Sequence, residues 1–169
     1  MHSFRRNLPL IALAGIVSAA PPAHAASSSA TVKATVVKPL TLSSLQSLDL
    51  GTVVLGPGTW TNAAVGISRA GVFRCSNSNV SCTGATQVAK YKVTGTNNQT
   101  ARITAPNVTL VNQSDPTKQL TLVVDNPGTV SLPNSGNPGV EFSLGGTITL
   151  NSTTAGGLYS GTFNVTVDY

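Results

Sequence analysis

Few residues in this chain could do chemistry, and their spacing argues against most of it. Residues 26–169 hold five carboxylates, Asp49, Asp115, Asp125, Glu141 and Asp168, each distant from the others in sequence. Glycoside hydrolysis needs two acids flanking one bond, and this chain offers no such pair at short range. Both histidines, His2 and His24, lie in the first 25 residues. A serine–histidine–acid triad therefore cannot be built from the rest, and no Ser-x-x-Lys motif replaces it. Gly145-Gly146 and Gly156-Gly157 do not stand in phosphate-loop contexts. The expectation is a protein that is not an enzyme, with no catalytic residue, no bound metal and no cofactor.

Cys75 and Cys82 are the two cysteines, and they flank the polar run Ser-Asn-Ser-Asn-Val-Ser. In an exported chain, two nearby cysteines are expected to close a disulfide. The chain-entropy treatment gives about 2.5 kcal/mol for so short a loop, before strain is subtracted. Metal binding or a reactive thiol pair finds no support. No histidine accompanies the cysteines after residue 25, and C-x6-C is not a redox spacing.

The address comes from the first residues. Arg5 and Arg6 make a basic start, Leu8 to Val17 an apolar run, and Ala23-His24-Ala25 a small-x-small cleavage site. That order predicts a signal peptide over 1–25 and one exported domain over 26–169, in the periplasm, at the cell surface or outside the cell. The apolar run is short for a bilayer span, and no later stretch could serve as one. Eight basic residues against five acids leave residues 26–169 at +3, with the cations scattered. Nucleic-acid binding lacks its electrostatic footprint. Six Asn-x-Ser/Thr triplets begin at Asn79, Asn98, Asn107, Asn112, Asn151 and Asn164. Asn- and Thr-rich β sequence produces such triplets by chance. Trp60 could stack on a sugar ring, but a lone tryptophan in an all-β domain is more often core or rim.

The elements that must position these residues are strands. Leu158 to Tyr169 puts Tyr159, Gly161, Phe163, Val165, Val167 and Tyr169 on one parity, and mostly polar residues on the other. Alternation of this kind predicts one half-buried strand of about 40 Å. Thr31 to Lys38 alternates too, with Val32, Ala34 and Val36 on one face, and Pro39 breaks it. Across Ser47 to Leu55 the parity of the leucines and Val53 changes near Gly51, which predicts a bend or bulge. Val140 to Leu150 keeps one parity through Gly145-Gly146 and reads as one bent strand in preference to a hairpin. Gln87 to Thr94 places Ala89, Tyr91 and Val93 inward and Lys90 and Lys92 outward. Val130 and Leu132 open a loop-rich stretch. No segment carries a helical period. Many short strands between turn signals predict an all-β, immunoglobulin-like antiparallel sandwich.

The two ends carry a resemblance. Ala155 to Tyr169, reading AGGLYSGTFNVTVDY, resembles the closing strand of bacterial spore-coat protein U-like and chaperone–usher pilus subunits. Thr31 to Leu40 (TVKATVVKPL) and Leu50 to Val54 (LGTVV) are similar to their first two strands. The resemblance implies a sandwich that lacks one strand, its groove filled by a neighbour's N-terminal extension. The subunit would be fimbria-like, assembling with itself or related subunits, with a periplasmic chaperone and usher as partners. Val32, Ala34 and Val36 would be the donor strand, and the edge bearing Phe163, Val165, Val167 and Tyr169 the acceptor. The alternative is a self-complete secreted or periplasmic module, for instance one that binds glycans.

Overall fold

A computed structural model of the chain describes residues 27–75, 77–133 and 139–169. The signal peptide expected over 1–25 lies outside the described residues. The chain divides into two compact units, residues 1–35 and 36–169. In the first, Ser27 to Thr35 forms no strand and every residue is exposed. The alternation over Thr31 to Lys38 therefore did not predict a strand of this chain's own sheets. The ladders begin later.

Among the described residues, thirteen strands follow in the second unit. They are β1 (Thr41–Gln46), β2 (Thr52–Leu55), β3 (Ala63–Ile67), β4 (Phe73–Cys75), β5 (Val80–Thr83), β6 (Ala89–Thr94) and β7 (Gln99–Thr104). Then come β8 (Val108–Asn112), β9 (Gln119–Asp125), β10 (Thr129–Leu132), β11 (Val140–Leu150), β12 (Tyr159–Ser160) and β13 (Thr166–Asp168). No helix occurs among the described residues. All ladders are antiparallel. The largest sheet runs β1-β6-β11-β9-β8-β12, with β3 and β4 branching from β11; β10-β7-β13 and β2-β5 make two smaller sheets. The protein is an all-β antiparallel sandwich of the immunoglobulin-like class, with one sheet curled.

The curl is in β11. Val140 to Leu144 pair with β6, and Gly146 to Leu150 with β3. Between them the strand passes close to its neighbours at both glycines. A Cβ at Gly145 would strike the backbone at Ile67 and Arg69, and one at Gly146 would meet the Leu122 side chain. The expected single bent strand is what forms. The parity change near Gly51 is also real. Its φ of 70° is a left-handed conformation that most residues resist, and it turns the chain into β2.

Two apolar clusters fill the sandwich. One gathers Trp60, Ala63, Val65, Val80, Val108, Leu122, Ile148 and Leu150; the other Ala89, Val93, Ala101, Ile103, Ala105, Leu132, Phe142 and Leu144. Leu48, Val124 and Phe163 pack against both. In the second, Tyr91 and Phe142 face each other across their ladder, stacked at 5.6 Å, a geometry that favours aromatic pairs.

Two expectations need correction. Leu158 to Tyr169 is not one strand. It breaks into β12, paired with β8, and β13, paired with β7, so the segment changes sheets between Ser160 and Thr166. Parity survives the break: Phe163, Val165 and Val167 are half-buried, while Thr162, Asn164, Thr166 and Asp168 are exposed. And Val130 and Leu132 do not open a loop. They sit in β10, where Val130 pairs with Ala101 and Leu132 with Gln99.

Candidate functional site

An apolar groove of about 420 Å³ runs along the first core cluster. Its floor is Val108 and Leu110 of β8, Leu120 and Leu122 of β9, and Ile148 and Leu150 of β11. One wall is the segment from Leu48 to Leu55, which includes most of β2. The other is Thr154 to Gly161, which includes β12, and Phe163 joins the lining. Val108, Leu122, Ile148 and Leu150 are buried, whereas Leu48, Leu50, Val53, Leu55, Leu110, Leu120 and Phe163 are each half-exposed. Half-exposed aliphatic side chains lining one concavity form a surface suited to an apolar occupant.

The walls share a property that the floor lacks. Among the described strands, β2 pairs with β5 alone and β12 with β8 alone. Each wall thus carries a strand whose second edge has no ladder. An unladdered strand edge beside an apolar trough is the kind of surface that can take an extended chain.

Local chemistry explains how each wall is held. For the first, the Trp60 indole N–H donates to the Gly56 carbonyl at 3.1 Å, and the Gly56 N–H donates to the Asn79 carbonyl at 2.7 Å. At the other end Asp49 and Gln87 exchange backbone bonds of 2.9 Å. For the second, Asn112 is the anchor. Only 1 % exposed, it donates from Nδ2 to the Gly156 carbonyl at 3.0 Å. Its Oδ1 accepts from the Ser114 and Asp115 amides at 2.9 and 3.2 Å. Asn151 Oδ1 accepts from the Thr153 amide at 2.9 Å and from its hydroxyl at 2.8 Å, closing the turn before that wall.

The sequence-predicted residues fall as follows. Cys75 and Cys82 form a disulfide. Trp60 is 8 % exposed, so its ring is core and offers no sugar platform. Val32 and Val36 are 91 % and 86 % exposed, and Ala34 is exposed as well. Phe163 lines the groove, while Val165 and Val167 pack on the second cluster. Tyr169 serves the other end of the domain. Its hydroxyl accepts from the Thr96 amide and donates to the Lys38 carbonyl, each at 2.7 Å, and the Lys38 amide donates to Thr96 Oγ1 at 2.6 Å. The acceptor residues are thus not one continuous edge: Phe163 belongs to the groove, and Val167 to the separate outer strand β13.

Sequence reasoning missed Asn112, which reads there as one sequon among six. Its burial leaves no room for a glycan. It also missed that Leu48, Leu50, Val53, Leu55, Leu110 and Leu120 share a partly uncovered surface, since each reads as an ordinary core position. No cluster of His, Cys, Asp and Glu suited to a metal occurs among the described residues, and no helix there is long and apolar enough to cross a membrane. One ion pair joins the described residues, Arg69 to Asp125 at 2.9 Å. Both partners are well exposed, so it adds little stability.

The geometry is that of an antiparallel sandwich with an apolar groove lined in part by β2 and β12, each laddered on one side among the described residues. A family model described as a domain of unknown function, DUF4402, matches residues 40–169, and the chain belongs to that family. The matched region contains the whole groove and begins after the exposed alternating segment. No curated protein and no solved structure matches the chain.

Proposed function

We propose that this protein is a non-catalytic, exported structural subunit that assembles by β-strand complementation, in the manner of fimbria- or pilus-like surface assemblies. Residues Ala26 to Val37 of one copy are the donor, and the groove of a second copy is the acceptor. One observation carries the reading. The groove presents an apolar floor between two strands with unladdered edges, while an alternating Val32-x-Ala34-x-Val36 segment of the same chain is exposed and unpaired. Small side chains suit a strand laid between two walls. An extended segment of twelve residues reaches about 40 Å, ample for a groove flanked by strands as short as β2 and β12. The seated strand would satisfy both edges with backbone bonds and cover the leucines with its apolar face. The resemblance of the chain's ends to spore-coat protein U-like and chaperone–usher subunits agrees with this. It adds a periplasmic chaperone and usher as the expected handling partners. A self-complete glycan module would instead present an exposed aromatic cleft, and the tryptophan that would furnish one is in the core.

Electrophoresis of unboiled native surface material tests the proposal. Strand complementation predicts a ladder that collapses to monomer on boiling. A stable monomer at high concentration, even with a matching chaperone and usher present, overturns it.

A further inference from the structure

The groove's first wall is a two-stranded ribbon, β2 with β5, that shares no ladder with either of the other sheets among the described residues. Two strands alone are marginally stable in water. The ribbon is pinned at one end by Asp49 and Gln87, and at the other by Gly56 with Asn79 and Trp60. Between those pins it meets the body of the domain through side-chain packing and one covalent bond. That bond is Cys75–Cys82, from the end of β4 to the middle of β5. Cys75 pairs with Val65 of the core, and Cys82 pairs with Val53 of the groove wall. Seven extended residues could separate the two Cα atoms by about 24 Å, and the bridge holds them at 6.3 Å.

We infer that the Cys75–Cys82 disulfide positions the groove wall, so that the groove accepts a donor strand only once the bridge has formed. The inference rests on the strand-complementation reading and adds its regulation. Bridge formation takes two protons and two electrons from the two thiols. They pass to a protein disulfide of the exporting compartment, which leaves as its dithiol. In a reducing compartment the wall is free to splay and assembly is silent; after export and oxidation the groove is competent.

A fluorescent peptide of residues Ala26 to Val37 is titrated by anisotropy into the full exported chain, and into its Cys75→Ser/Cys82→Ser variant. Hydrogen exchange is followed on both. Expected is binding at least tenfold weaker in the variant, with amides of β2 and β5 exchanging at least tenfold faster and those of β3 and β11 unchanged. Equal affinity with equal β2 exchange overturns the inference and leaves strand complementation standing. Global unfolding of the variant also overturns it, because the bridge would then hold the whole fold and not its wall. Failure of the oxidised wild-type chain to bind the peptide overturns the strand-complementation reading, and this inference with it.

Discussion

Changing Val32 and Val36 together to Asp separates a donor strand from a core strand. In the folded chain these side chains are 91 % and 86 % exposed, and substitutions at such surface positions usually shift stability by no more than about 0.5 kcal/mol. The monomer should melt within a few degrees of wild type. Seating in the groove is different. Fully burying a valine contributes about 1.5 kcal/mol at the low end of its range, so two contribute about 3 kcal/mol. At about 1.4 kcal/mol per tenfold, losing both weakens complementation more than a hundredfold. The penalty of placing two carboxylates against leucines adds to that. Native mass spectrometry alongside thermal melting monitors both quantities. A control, Thr31→Asp with Thr35→Asp, puts the same charge on the opposite parity and should assemble far better. Two results would refute the reasoning: a double-Val variant that assembles like wild type, or one whose melting temperature collapses. The second would mean that Val32 and Val36 are packed inside their own domain.

Three further substitutions probe the walls and the core. Asn112→Ala strips the Gly156 carbonyl and the Ser114 and Asp115 amides of their partner; urea denaturation should show a loss of about 2–3 kcal/mol, and Asn112→Asp should lose no less, because it keeps the acceptor but turns a second oxygen, in a buried site, toward the Gly156 carbonyl. Phe163→Ala should cost less than the roughly 3–5 kcal/mol of a fully buried ring, since Phe163 is half-buried in the groove lining. Thr162→Ala should be near neutral, and equal melting shifts for the two would refute the parity assignment. Burial pushes the Tyr91 phenol above its ordinary value of 10.0, against a smaller lowering by its hydrogen bond with Ser44. A raised folded-state value means that stability is full below pH 10 and falls as pH climbs through the folded value. Tyr91→Phe should flatten that alkaline decline in melts recorded across it.

Where one strand keeps one face, the sequence was a sufficient guide. Lys90 and Lys92 alternate with Ala89, Tyr91 and Val93 because β6 has one wet face and one packed face. Unbroken parity through Gly145-Gly146 was enough to reject a hairpin, because reversal would not need it. Parity fails where a chain changes partners. Tyr159 and Val167 share a face in the pattern, yet one belongs to the ladder with β8 and the other to that with β7. Nothing in local alternation marks the crossing. The strand at Thr129–Leu132 was hidden for another reason. It is four residues long, framed by Pro127-Gly128 and Pro133, and draws its order from β7. Thr31 to Lys38 shows the limit most plainly: alternation predicts that a segment will pair with something, and cannot say whether that partner is in the same chain.

The groove was illegible for the same reason, and the shape of the assembly follows from it. Leu110 and Leu120 look like core residues because they pack against the first core cluster, yet both stay partly exposed along the groove; only tertiary structure shows that opening. If a second copy supplies the cover, donor and acceptor are different surfaces of one chain, so each contact is heterologous. Each filled groove leaves one free donor and one free groove at the ends of the growing species. Such contacts close into a ring or run on as a filament; a reciprocal exchange between two copies would stop at the dimer. The donor's one charged residue, Lys33, falls on the parity opposite Val32 and Ala34, so it would face away from the apolar floor. The prediction is therefore a ladder with odd and even members alike, rising with subunit concentration and cut short by excess free Ala26–Val37 peptide. Dimers that resist further growth would show reciprocal exchange in place of a running chain of contacts, and dimers that persist both with excess peptide and after Val32→Asp with Val36→Asp would show that the apolar groove meets something other than a neighbour's strand.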